Sequence, residues 1–431
     1  MNEEFLSFLW RHRLYNPDKL SLDGENVEVI HPGELNRDSG PDFFNTKLKV
    51  GGTIWAGNVE IHLRASDWNK HGHDKNAAFD NVILHITAEN DHPVYTSKGR
   101  LVATLALDFD KINLSNYNIL ISSKKWISCA DDFSTVDQMI LSSLISKLGV
   151  ERLESRTNQI LANLDITIND WDEAFYRQIA RSYGFHVNSQ PFAALAKSIP
   201  YNIVRKHCHE RTQLEAMFFG QAGFLLDDYS DDGYYNQLKK EYEFLRNKYN
   251  LQPVETHLWK FMRLRPGNFP TVRIAQFVSL LGSNTSLFSS ILSVANLEAL
   301  YDFLSNDVSE YWKKHYTFGN QSRPVDKKIG KESAKVIIIN TIAPFYFIYG
   351  KELGLTQYQD KAMRFLEEID AEDNSIIREW KQLGIKPKSA FDSQALLHLK
   401  NEYCDKKRCL DCSIGVKIIS KGNVNKSKTF L

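Results

Sequence analysis

Between His31 and His85 the sequence gathers side chains that hold metals and move protons. Asp42 follows Pro41 at the entrance to an extended segment, and Glu60 and His62 lie two apart in the segment after it. Strand side chains alternate between faces, so Glu60 and His62 share one face while Val59, Ile61 and Leu63 turn to the core. Gly51-Gly52 between the two segments is a hairpin signal, and an antiparallel hairpin of this length can bring Asp42 beside Glu60. Two carboxylates held together repel each other, a cost that a divalent cation relieves. Oxygen donors of this kind suit Mg²⁺ or Mn²⁺, which polarise a phosphoryl oxygen and lower the pKa of a bound water. His62 would then position or deprotonate that water. Glu34 and Asp38, just upstream, are further carboxylates that could complete the site. The plainer alternative has Asp42 capping a turn while Glu60 and His62 face solvent.

Pro41-Asp42, followed by Glu60-Ile61-His62, resembles the PD-(D/E)XK phosphodiesterase motif. That superfamily cleaves nucleic-acid phosphodiesters with Mg²⁺ on an αβββαβ core. The resemblance implies Asp42 and Glu60 as metal-binding carboxylates, with the Ile61 carbonyl as a further ligand. His62 stands where the family usually has lysine. Lysine is a cation at neutral pH, whereas histidine is mostly neutral and acts as base or ligand. The departure leaves open an altered catalytic residue or a site that has lost its chemistry. The helix usually found after the third strand would have to lie within Ser66 to Asp80, which reads as loop.

Asp67 to Asp74 carries a second grouping. His71 and His73 are two apart with carboxylates on both sides, and His62 and His85 fall on neighbouring predicted strands. A His-x-His with a nearby carboxylate can bind Zn²⁺, Fe²⁺ or Mn²⁺, and a polar loop is the alternative. The two groupings need not exclude each other, since His71, His73 or Asp74 could line the Asp42/Glu60 site.

Cys404, Cys409 and Cys412 form C-x4-C-x2-C near the end of the chain. In a cytosolic chain this spacing reads as a metal site rather than a disulfide framework. Clustered thiolates favour Zn²⁺ or an iron–sulfur cluster. No fourth ligand lies beside them. His398, Cys208 with its flanking His207 and His209, or Cys129 could supply one. The spacing loosely resembles the cysteine loop of helical DNA-repair glycosylases, which has one cysteine more.

The elements that must position these groups fall into two textures. Residues 1 to 115 hold 12 Lys/Arg against 17 Asp/Glu, and seven of the 13 histidines. One amphipathic helix, Glu3 to Leu14, precedes predicted strands at Val27 to Ile30, Phe43 to Val50, Thr53 to Leu63, Val82 to Thr87 and Leu101 to Leu107. From about Asn116 apolar residues recur at helical spacing, as in Gln138 to Leu164, Trp171 to Tyr183 and Gln213 to Leu226. Arg263 to Arg273 is the most basic short stretch, and arginines beside a helix start can take phosphate. The reading is α+β: a mixed-sheet, restriction-endonuclease-like domain over 1–115, a helical domain with the cysteine cluster over 116–415, and a basic, flexible tail over 416–431.

The chain has 431 residues and no net formal charge, which argues against a histone-like binder. Val336 to Tyr349 is the longest apolar run, and Asn340, Thr341 and Pro344 interrupt it, as in a buried core element. The Met-Asn-Glu-Glu start lacks a signal-peptide core, so a cytoplasmic protein without membrane partners is expected. Gly40 to Phe43, Gly57 to His62, Asn268 to Thr271 and Cys404 to Gly415 together resemble a bacterial family described only as a domain of unknown function.

These readings predict an Mg²⁺-dependent or Mn²⁺-dependent phosphodiesterase acting on DNA or RNA, with Asp42, Glu60 and His62 at its centre. Two alternatives stand beside it. One is a non-catalytic binding or scaffold protein on the same fold. The other is a histidine-rich metalloprotein acting on a small molecule.

Overall fold

The computed structural model describes residues 1–226 and 231–423; of the flexible tail expected over 416–431, residues 424–431 lie outside the described residues, while 416–419 belong to helix Ser413–Ile419, with Ile418 and Ile419 buried. Helix α1 (Glu3–Arg11) begins at Asn2, whose side chain accepts a hydrogen bond from the Phe5 amide, and Glu3 and Glu4 complement its positive end. Its apolar residues Phe5, Phe8 and Leu9 are buried. It stops short of the predicted Leu14 because Arg13 adopts a left-handed conformation, φ 53°.

The sheet after it contains β1 (Ser21–Leu22), β2 (Glu25–His31), β3 (Glu34–Leu35), β4 (Phe43–Val50), β5 (Thr53–Arg64), β6 (Val82–Glu89) and β7 (Thr104–Ala106). Their order is β1-β2-β4-β5-β6-β7, with β3 paired to the start of β4. β2, β4 and β5 form an antiparallel meander, and Gly51-Gly52 makes its second turn with φ of 54° and 91°. β6 then pairs parallel to β5, and β7 parallel to β6. Four predicted strands are present within a few residues of their expected ends. Leu101 to Leu107 is shorter than expected, since Leu101 leaves the ladder to bridge Tyr95.

Register explains the buried faces. Phe43 pairs with Val59, and a bulge at Phe44-Asn45 re-aims the start of β4; Asn45 takes φ 58° there. Val59 and Ile61 are buried as the alternation predicts. Glu60 and His62 on the opposite face are buried as well, at 6% and 2% exposure, so that face is not a solvated sheet surface.

The β5–β6 connection carries one helical turn, α2 (Asp67–Lys70), and two 3-10 turns, His73–Lys75 and Ala77–Phe79. Trp68 anchors it. The indole is fully buried with Phe79, Val82, Val94 and Val102, and its N–H donates to the Tyr95 carbonyl at 2.9 Å. This tethered connection replaces the loop expected over Ser66 to Asp80.

The chain divides into two compact units: 1–144 with 399–431, and 145–398. The cysteine segment, expected with the helical residues, belongs in the structure with the sheet. Helix α3 (Lys111–Ser122) explains this grouping. Asn113 on α3 donates to the Ile419 carbonyl at 2.7 Å, and Asn116 donates to that of Ile418 at 3.2 Å.

The second unit is helical around a large apolar core. Helix Pro270–Gly282 is buried nearly all round. Its Arg273 is not a solvated cation: it stacks 4.2 Å from the Phe185 ring centre and donates to Asn268, Gln276 and Ser333. Among the described residues, the continuous helical run Lys331–Glu352 is long and apolar enough to cross a membrane, but 72% of its apolar window is buried inside the protein. A π-helical turn at Ile338–Ile342 interrupts it, where the sequence places Asn340 and Thr341.

Candidate metal centre

The β4–β5 hairpin brings Asp42 and Glu60 together. The Asp42 amide donates to the Glu60 carboxylate at 3.0 Å, and the Ile61 amide donates to the Asp42 carboxylate at 2.9 Å. Each carboxylate is thus fixed by the backbone beside the other. Burial holds the Asp42 carboxyl well above the usual carboxylate range, and the neighbouring Glu60 charge raises it further.

Three histidines close on this pair. Glu60 Oε1 lies 3.3 Å from His73 Nε2 and 3.7 Å from His62 Nε2. His62, His71 and His73 each present a ring nitrogen within 4.8 Å of the other two. The β5–β6 connection brings His71 and His73 back against His62 on β5, and His73 stacks on Phe79 with ring centres 3.8 Å apart. The two groupings therefore share one cavity, with His73 and His62 beside Glu60, whereas Asp74 is not among the lining residues.

Behind it sits His85, fully buried on β6. His62 Nδ1 lies 2.9 Å from His85 Nε2, and His62 Nε2 lies 3.0 Å from His71 Nδ1. Burial lowers the His62 pKa to about 3, with the neighbouring imidazoles adding to the effect. The same cause lowers His85 to about 4. Both rings are therefore neutral near pH 7, and in each contact one nitrogen donates while the other accepts. Neutral imidazole is also the form that binds metal.

Asp42, Glu60, His62, His71 and His73 line a cavity of about 800 Å³. Its rim carries Arg11 from α1, Arg37 from the turn before β4, and Lys406, Lys407 and Arg408 from the cysteine segment. Acids stand among them. Asp411 binds Arg37 at 3.3 Å and Arg408 at 2.9 Å, and Glu3 and Glu4 also border the cavity. Arg11 makes no ion pair or side-chain hydrogen bond among the described residues. Sequence reasoning missed this rim. No local signal joins Arg37 to a residue near the end of the chain. Asp38 borders the same cavity, whereas Glu34 pairs with Phe44 in the sheet and is not among the lining residues.

The donor set fits a divalent ion. Three imidazoles lie within 4.8 Å of one another beside the Glu60 carboxylate, and the buried His73 Nε2 that faces it has no hydrogen-bond partner among the described residues. Such a mixed nitrogen and oxygen set matches Mn²⁺, Fe²⁺ or Zn²⁺ better than Mg²⁺, which prefers oxygen.

Cys404, Cys409 and Cys412 surround a separate small cavity with Cys129. The other candidate ligands are engaged elsewhere. Cys208 donates to the Arg205 carbonyl at 3.1 Å, His207 contacts Gln213 and Tyr249, and His398 lies 3.5 Å from Glu151.

No curated protein and no solved structure matches the chain. A family signature does, over residues 3–375, which takes in the whole hairpin, all four clustered histidines and most of the helical unit. The chain belongs to the family described as Protein of unknown function (DUF2851).

Proposed function

We propose that the protein is a metal-dependent phosphodiesterase of the nuclease-like kind. The observation that carries this reading is the reciprocal bonding of Asp42 and Glu60 on the wall of an 800 Å³ cavity, with imidazoles facing the same carboxylate. A restriction-endonuclease-like architecture is part of the proposal. It is supported by an initial helix, an antiparallel meander and a parallel strand after a crossover.

Asp42 and Glu60 would hold the ion, with His71 or His73 as nitrogen ligands. When bound, the ion would polarise a phosphoryl oxygen and acidify a coordinated water. The chain's own groups do the rest. Neutral His62 can accept a proton at Nε2, and His85 holds its ring in place from the other side. Arg11 and Arg37 offer guanidinium groups to substrate phosphates at the rim.

The imidazole-rich donor set also supports a second reading, a Mn²⁺-, Fe²⁺- or Zn²⁺-dependent enzyme acting on a small phosphorylated or carboxylated molecule. One experiment separates the readings. Mg²⁺, Mn²⁺ and Zn²⁺ are titrated into wild type and the Asp42→Asn/Glu60→Gln variant, with cleavage of labelled single- and double-stranded DNA and RNA followed in parallel. Binding and cleavage that both vanish in the variant support the phosphodiesterase. Binding without cleavage moves the assignment to the small-molecule enzyme. Absence of both overturns a metal enzyme and leaves a binding or scaffold protein.

A further inference from the structure

Four of the five cysteines converge although they lie far apart in sequence. Cys129 sits in the turns that follow α3. Cys404 ends the π-helical turn Leu399–Cys404, Cys409 opens a 3-10 turn, and Cys412 precedes helix Ser413–Ile419. None of the four forms a disulfide.

The fold holds these segments tightly. Lys407, itself in a left-handed conformation at φ 54°, donates through Nζ to the Ser123 carbonyl and, at 2.9 Å, to Ser128 Oγ. That one side chain ties the turn carrying Cys129 to the loop carrying Cys404 and Cys409. Gly415 lies so close to the Cys409 backbone that an added Cβ would come within 2.0 Å of its carbonyl oxygen. The thiols therefore meet by construction of the backbone.

Four thiolates around one small cavity would repel one another, and a cationic centre between them removes that cost.

The spacing says what kind of centre. Tetrahedral zinc, with Zn–S bonds near 2.3 Å, draws its sulfurs to about 3.8 Å from one another. Among the described residues, the trio of such donor atoms mutually within 4.8 Å is His62, His71 and His73, and no three cysteine sulfurs meet that limit. The thiols surround a cavity of about 20 Å³, room for a water-sized body that sulfurs 2.3 Å from a zinc ion do not leave between them. A cubane cluster takes one thiolate at each of its iron corners and spreads the sulfurs further.

We propose that Cys129, Cys404, Cys409 and Cys412 bind a [4Fe–4S] cluster that staples the end of the chain to the sheet unit. Ligation releases the four thiol protons to solvent, and no change of oxidation state is required of the protein.

The test uses the full chain purified anaerobically. Iron, acid-labile sulfide and zinc are counted per chain, and the visible spectrum is recorded before and after dithionite. About four irons and four sulfides with a reducible visible band are expected. Cys129→Ser should lose most of the iron, while Cys208→Ser, outside the cluster, should keep it. The wild-type counts stand even if Cys129→Ser fails to fold. Stoichiometric zinc without iron, no metal in anaerobic wild type, or full iron content in a folded Cys129→Ser protein would each overturn the proposal. Asp42→Asn/Glu60→Gln should keep its iron and sulfide, so failure of the hydrolase reading leaves this test intact.

Discussion

The amide of Asp42 bonds the carboxylate of Glu60, while the carboxylate of Asp42 bonds the amide that directly follows Glu60. Two strands of one hairpin thus hold two acids in mutual contact against their own repulsion. This arrangement costs stability in the absence of an ion and is relieved by one.

Asp42→Asn should therefore separate stability from metal affinity. Removing a buried charge beside Glu60 leaves the metal-free fold as stable or more stable, while the stabilisation on adding Mn²⁺ is lost. Thermal unfolding of both proteins with and without Mn²⁺ checks this. A variant that is still stabilised by the ion as wild type is would remove Asp42 from the site.

Acid should weaken the fold through the histidines. His62 and His85 are depressed to about 3 and about 4 from 6.5, so the unfolded chain takes up protons there before the folded one does. Their contribution is complete above about pH 6.5 and is lost as pH falls toward the folded values. Each group contributes a slope of up to about 1.4 kcal/mol per pH unit within that window. Asp42 acts oppositely: its raised pKa favours the fold at low pH, and that advantage fades as pH rises from 3.8 through the elevated folded value. Denaturant midpoints between pH 7 and pH 4.5 should fall for wild type and fall less for His85→Gln. They should fall more steeply for Asp42→Asn.

Trp68→Ala should act at a distance. Loss of the indole from its apolar pocket costs about 3–5 kcal/mol. It also frees the connection that carries His71 and His73. Trp68→Phe keeps the apolar body but loses the bond to Tyr95. It should retain most of the stability while Zn²⁺ affinity declines less than in Trp68→Ala. Calorimetric titration of both variants reads the difference.

Gly57→Ala should destabilise the hairpin. A Cβ there would stand 2.4 Å from the Ile83 side chain and 2.7 Å from the Asn81 carbonyl oxygen. Overpacking of this kind costs on the order of 1–3 kcal/mol. A denaturant midpoint equal to that of wild type would show that β5 and β6 can move apart without penalty.

The Asp42–Glu60 pairing was legible in the sequence because a turn signal fixes hairpin register, and register fixes which side chains meet. His71 and His73 were legible as donors but not as partners of Glu60. Their placement depends on the anchoring of Trp68 beneath the connection. Strand polarity was hidden: Val82 to Ile86 is apolar on both faces and reads alike in either direction. Cys129 was visible only as one of several candidate partners, since no local pattern reports a contact made between distant parts of the chain. The same is true of the Arg37–Asp411 pair.

Because the residues that follow 398 belong to the same unit as the sheet, a ribosome must pass Asp411 before the cavity can acquire its full rim. The sheet emerges first and waits, with Asn113 and Asn116 on α3 lacking their acceptors, while residues 145–398 are made. Premature stop codons anywhere in that insert would leave a hairpin with both carboxylates but without Lys406, Lys407 or Arg408. Biogenesis therefore completes the site only after residues 145–398 have been made.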